Sequence, residues 1–186
     1  TATDPNATKN VMVPDRPYRE EDLEDFQTVY AKNEGAVTAP ATGLHISREM
    51  LKMMEIKGIN VAYITLHCGL GNFNRIEVED LTKHKMDSEQ MFVSKEACDI
   101  VSKAKEEGHH ICVVGTSVAK ATETAVGTDN LLKEYEGWTN KFIFPPYEFG
   151  LADSMMGNFY HPMSTLMMSE CAFGGYDLVM KAYNLA

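Results

Sequence analysis

Hydrophobic and polar positions along this chain switch between two periods. From Asn60 to Phe73 the residues read Asn-Val-Ala-Tyr-Ile-Thr-Leu-His-Cys-Gly-Leu-Gly-Asn-Phe. The β-branched and aromatic run predicts one buried strand, and Gly69-x-Gly71 breaks it just after His67. Ser94 to Gly108 carries the helical period: Ser94 caps, Glu96 sits in the first turn, Ala97, Ile100, Val101 and Ala104 form one stripe, and Gly108 ends it.

The same reading orders the rest. Residues 1–20, with Pro5, Pro14 and Pro17, read as an extended leader, and residues 21–186 as one α/β domain that starts with a short helix within Glu20–Ala31. Gly35–Pro40 predicts a short strand, Ala41–His45 a loop, and the stretch after Ser47 a helix with Met50, Leu51 and Met54 facing the core. With the strand from Asn60 this makes a βαβ unit. Ile76–Glu79 alternates as a strand, and Asp80–Val93 reads as extended. Ile111–Val114 predicts a buried strand, followed by a helix with Val118, Ala121, Thr122 and Ala125 on one face. Gly127–Gly137 reads as a loop, Lys141–Phe144 as a short strand, and Gly157–Pro162 as a turn. Met163–Cys171 reads as a helix with Leu166 and Met167 inward, and a last helix follows Gly174-Gly175, with Tyr176, Val179, Met180 and Tyr183 sharing a face.

Composition narrows the class. The sequence has 186 residues, 44% of them hydrophobic, enough for one sizeable core. No apolar run long enough to span a membrane and no signal peptide is found, so the chain reads as cytoplasmic. Cys68, Cys98, Cys112 and Cys171 form no Cys-x-x-Cys pair and read as reduced core thiols. Seventeen basic against twenty-seven acidic side chains give a net charge of −10, which repels phosphate backbones and makes this chain alone a poor nucleic-acid binder.

Candidate chemistry gathers where strands end. Ligands of open α/β sheets collect beyond the carboxyl ends of the strands. Gly115-Thr116-Ser117, between a strand and a helix start, suits an anion or a carboxylate held by free N–H groups, although helix capping alone also explains the hydroxyls. His45 and His67 stand in predicted rim loops, where imidazole can move protons near neutral pH. Asp87 and Glu89 would share one face of an extended segment, as an acid/base pair or as a polar edge strand. His109-His110 has no further ligand at metal spacing.

Taken together, the motifs resemble the S-adenosylmethionine:tRNA ribosyltransferase-isomerase family of queuosine biosynthesis. The matching text includes Phe26-Gln-Thr-Val-Tyr-Ala-Lys32, Gly43-Leu-His45, Leu66-His67-x-Gly69-x-Gly71-x-Phe73, Val78-Glu-Asp-Leu-Thr-Lys-His84, Gly115-Thr116, Glu136-Gly-Trp138-Thr, Phe142-Ile-Phe-Pro-Pro-Tyr147, Asn158-Phe and Ala172-Phe-Gly-Gly-Tyr176, in unbroken order. The resemblance implies a barrel-like α/β main domain, here without the inserted small β domain, the N-terminal segment and the last strand. It also implies transfer and isomerisation of the ribosyl group of S-adenosylmethionine onto 7-aminomethyl-7-deazaguanine in the tRNA anticodon, giving epoxyqueuosine-tRNA, adenine and methionine. The alternative is a diverged module that binds an adenosyl ligand or a partner without turnover.

That scheme needs a base to take a proton next to the sulfonium and a water-poor site, and it requires no metal. Carried onto this sequence, the resemblance makes His45 and His67 the proton-transfer candidates, with Asp87 and Glu89 as further acid/base groups. Gly43, Gly69, Gly71, Phe73, Gly115, Thr116, Lys120 and Asn158 become substrate-binding positions. The family has arginine where Lys120 stands, and an ammonium lacks the bidentate fork. Oligomeric state is left open by the sequence.

Overall fold

The computed structural model describes residues 19–186, so residues 1–18 of the expected leader lie outside the described residues. The first helix, α1, is a single turn, Asp22–Asp25. Ser47 caps α2, Arg48–Ile56, by accepting from the Met50 N–H at 3.1 Å. Ser94 does the same for α3, Lys95–Glu106, accepting from the Ala97 N–H at 3.2 Å. The central helix α4, Thr116–Ala125, buries Ala119 and Ala121 completely. Ser164 caps α5, Thr165–Gly174, and Gly175, at φ 79°, turns the chain into α6, Tyr176–Leu185.

Strands β1, Thr65–Leu66, β2, Glu89–Val93, and β4, Tyr135–Thr139, form an antiparallel sheet in the order β1-β2-β4. Strands β3, Cys112–Val114, and β5, Ser154–Met156, pair in parallel as a second sheet. Helix α4 packs against both sheets. Glu89, Met91 and Val93 alternate onto the buried face of β2, and Met91 and Val93 meet Ala97, Cys98, Ala121, Ala125, Leu132 and Leu151 in the core. The α/β class therefore holds.

Several expected elements differ. The strand from Asn60 is reduced to Thr65–Leu66 and runs antiparallel, because its partner runs out: Thr65 pairs with Phe92, and one residue past Val93 the chain becomes the cap of α3. Gly35–Pro40 forms no strand; the Val37 and Thr38 N–H groups both donate to the Cys68 carbonyl, at 2.8 and 3.3 Å, so the βαβ unit is not made. Ala41–His45 is a 3-10 turn rather than an open loop. Ile76 is buried, yet the 76–79 stretch has no ladder, and the bridge there joins Arg75 to Ser164.

The expected loop at Gly127–Gly137 hides the start of β4, whose pairing with β2 overrides a Gly and two glutamates nearby. Lys141–Phe144 is not a strand, and the Ile143 carbonyl accepts from the Ser169 hydroxyl at 3.3 Å instead. The strand of that region is Ser154–Met156. Helix α2 buries no residue, and Met50 is exposed rather than in the core. Cys68, Cys98 and Cys171 are buried thiols as expected, but Cys112 is exposed at the start of β3. No helix among the described residues is long and apolar enough to cross a membrane.

Candidate functional site

The end of β3 builds the first wall of a cleft of 1320 Å³. Gly115 sits at φ 103° and ψ 144°, a conformation that L side chains resist, and this lets the strand turn at once into α4 while the Gly115 N–H still donates to the Met156 carbonyl at 2.8 Å. No side chain caps the helix. Gly115, Thr116, Ser117 and Val118 line the cleft, so the positive end of the α4 dipole faces it.

The 3-10 turn Ala41–His45 builds the second wall. A Cβ on buried Gly43 would strike the Tyr30 hydroxyl and lie 2.9 Å from Thr28 Cγ2, so only glycine lets Tyr30 lie across the turn. The Tyr30 and Tyr63 rings stand 5.6 Å apart at 48°, and both line the cleft. Burial, then the neighbouring Tyr63, push the Tyr30 phenol above its ordinary pKa against a hydrogen bond from Thr28. Tyr160 joins the two walls: its hydroxyl lies 3.2 Å from Thr42 Oγ1 and accepts from Thr116 Oγ1 at 3.5 Å.

The third part is the floor. Asn72 and Cys68 line the cleft, and beneath them the Lys120 ammonium pairs with the Glu89 carboxylate. Lys120 also donates to Asn72 Oδ1 at 3.4 Å, while Glu89 Oε1 accepts from Asn72 Nδ2 at 2.6 Å and from the Gly69 N–H at 2.8 Å. Burial first, and then the Glu89 charge, push the Cys68 thiol up to about 11.

The expected site residues divide accordingly. Gly43, Gly115, Thr116 and Asn158 line the cleft. Lys120, Glu89 and the Gly69 N–H form the layer beneath it. Gly71 backs onto Asp87, where a Cβ would lie 2.8 Å from the Asp87 Cβ, and Phe73 ends the 3-10 turn Leu70–Phe73. Asp87 and Glu89 are not placed on one strand face: β2 begins only at Glu89, so strand alternation does not reach Asp87, which is exposed while Glu89 is buried against Lys120.

Neither imidazole lines the cleft. His45 is exposed at the end of its 3-10 turn. His67 is half-buried, edge-on to Phe92 at 5.8 Å and tight against Gly35, where a Cβ would sit 2.6 Å from Nδ1. That Nδ1 is buried without a hydrogen-bond partner. Its chain neighbours Leu66 and Cys68 do line the cleft.

The site also takes in Tyr30, Thr42, Tyr63, Asn72 and Tyr160, which are not among the expected site residues. Tyr30 stood inside a matched motif, Thr42 and Asn72 beside matched glycines, and Tyr160 next to Asn158-Phe159. Tyr63 carried no signal beyond its strand-like neighbours. Among the described residues no group of three or more His, Cys, Asp or Glu side chains is placed to hold a metal ion.

The arrangement suits a ligand with a carboxylate for the α4 terminus and a flat ring for the tyrosine pair. The pattern of a family described as queuosine biosynthesis protein matches residues 6–186. S-adenosylmethionine:tRNA ribosyltransferase-isomerases of Phocaeicola vulgatus and Clostridioides difficile are similar to it, at 66% identity over 171 residues and 44% over 168. Those alignments cover 92% and 90% of this chain and 49% of each relative, so the chain spans about half the length of the curated relatives it matches. The crystal structure of S-adenosylmethionine tRNA ribosyltransferase from Thermotoga maritima is similar with a TM-score of 0.63 and 34% identity, over 78% of this chain and 45% of that one. With its pattern matched over nearly its whole length, the chain belongs to the queuosine biosynthesis protein family.

Proposed function

We propose that this chain forms the S-adenosylmethionine-binding part of a tRNA ribosyltransferase-isomerase. The whole enzyme moves and isomerises the ribosyl group of S-adenosylmethionine onto 7-aminomethyl-7-deazaguanine in a tRNA anticodon, with epoxyqueuosine-tRNA, adenine and methionine as products. The observation that carries this reading is the uncapped start of α4 opening into a cleft with a tyrosine pair opposite. The methionyl carboxylate takes the free N–H groups of Thr116, Ser117 and Val118. The adenosyl ring lies against Tyr30 and Tyr63, whose faces also attract the sulfonium charge. Asn158 orients the ribose or the base, and the Glu89–Lys120–Asn72 layer keeps the floor in place beneath them.

Of the two imidazoles, His67 is the proposed base for the proton next to the sulfonium. Its neighbours Leu66 and Cys68 form part of the cleft wall, and its Nδ1 is not engaged by any other group. The wider architecture belongs to the same proposal: a barrel-like main domain, with the inserted small β domain in the half of the relatives that this chain does not cover, acting on tRNA in the cytoplasm.

The test is adenine release from S-adenosylmethionine on tRNA carrying the 7-aminomethyl-7-deazaguanine base, with the chain joined to the remaining half of a family member. Adenine formed in proportion to modified tRNA is expected. Binding of S-adenosylmethionine with no adenine from the joined protein would overturn the reading as an enzyme.

A further inference from the structure

Phe159 is 60% exposed, an unusual place for a phenylalanine on a loop that is otherwise firmly held. Glu170 of α5 accepts the Asn158 N–H and, at 2.8 Å, the Tyr183 hydroxyl of α6. Tyr183 in turn accepts the Tyr160 N–H at 2.9 Å, and the Phe159 N–H donates to Asn158 Oδ1 at 2.9 Å. Gly157 presses against Glu170 so closely that a Cβ there would strike the carboxylate. The residues on either side of Phe159 are thus fixed from behind. The Phe159 ring meets Tyr183 at 5.0 Å and 72°, and it also lines the cleft.

A ring presented to water by so many backbone hydrogen bonds is prepared for a ligand, since preorganisation lowers the ordering cost of binding. The cleft has a second aromatic wall in Tyr30 and Tyr63, and its 1320 Å³ exceeds the roughly 300–1,000 Å³ of a single small-molecule site. We infer that Phe159 is the stacking platform for a nucleobase drawn out of a nucleic-acid strand, while the tyrosine pair serves the other ligand. This rests on the two-substrate reading above and assigns its acceptor base to a place. An enzyme that does chemistry on a base must take it out of the stack, and aromatic side chains hold such bases whatever their edges. A net charge of −10 fits capture through a ring face better than through phosphates.

The experiment uses two RNA pentanucleotides, one with 7-deazaguanine at its centre and one abasic there, titrated into the chain by fluorescence anisotropy. Wild type binds the base-bearing strand at least about fivefold more tightly, Phe159→Trp keeps that preference, and Phe159→Ala loses it. Equal binding of both strands by wild type, or a preference retained by Phe159→Ala, overturns the inference. So does Phe159→Leu with the full wild-type preference, because an apolar patch without a ring would then suffice. A separate titration of wild type with S-adenosylmethionine tests the functional reading independently: binding there with no strand preference removes only the Phe159 assignment.

Discussion

Lys120 pairs with Glu89 beneath the cleft floor, and the two side chains are only 7% and 3% exposed. Burying such a pair is costly, and removing one partner leaves the other charge stranded. Lys120→Ala is expected to lower stability by about 3–5 kcal/mol in urea denaturation. Glu89→Gln combined with Lys120→Met recovers most of it, because a Gln oxygen still accepts the Gly69 N–H. A double variant as unstable as Lys120→Ala would show that the floor needs the charges themselves.

The Gly43 contact makes a prediction about binding. Gly43→Ala pushes Tyr30 off the turn and away from Tyr63. Overpacking of this kind costs about 1–3 kcal/mol, and the tyrosine pair is displaced with it. Affinity for S-adenosylmethionine by calorimetry is expected to fall at least tenfold. A variant with unchanged affinity would take the tyrosine pair out of the adenosyl site.

Glu170 gives a pH signature. Burial raises its pKa above the usual glutamate value, against hydrogen bonds from Tyr183 and the Asn158 N–H that lower it. A folded pKa above the unfolded one means that the unfolded state releases its proton first as pH rises. The stabilising contribution is therefore complete below about pH 4.5 and is lost as pH climbs through the raised folded value. Glu170→Gln should remove this slope from melting curves collected between acid and neutral pH. Burial also pushes the phenols of Tyr147 and Tyr183 up to about 12, the first helped by the Glu123 charge, so their contribution persists to about pH 10 and is lost above it. Tyr183→Phe is expected to diminish that alkaline loss.

Thiol reactivity separates the cysteines. Exposed Cys112 should react quickly with an aromatic disulfide reagent at pH 8, while Cys68, whose thiol is buried and pushed up to about 11, reacts only on unfolding. All four thiols should titrate in denaturant. Fast loss of Cys68 in the native protein would contradict the closed floor.

The sequence announced those parts of the fold whose cause is local. Ser47 and Ser94 each cap the helix that follows, and Gly115 turns β3 into α4, all legible from residue type and spacing. Strand lengths were not legible, because they are set by partners. Asn60–Ile64 has strand-forming side chains but no ladder opposite, while Tyr135–Thr139 carries a glycine and a glutamate and is a strand because β2 pairs with it. The site divides the same way. Gly43, Gly115, Thr116 and Asn158 reach the cleft, whereas the Glu89–Lys120 pair joins residues 31 positions apart and no local pattern reveals it.

The most direct test of the account is to titrate the isotope-labelled chain with S-adenosylmethionine and follow its backbone amides by NMR. Saturable shifts centred on the amides of Gly115 to Val118 are expected, with further changes at Tyr30 and Tyr63. Saturable binding that leaves those amides unmoved, or no binding at all, would contradict it.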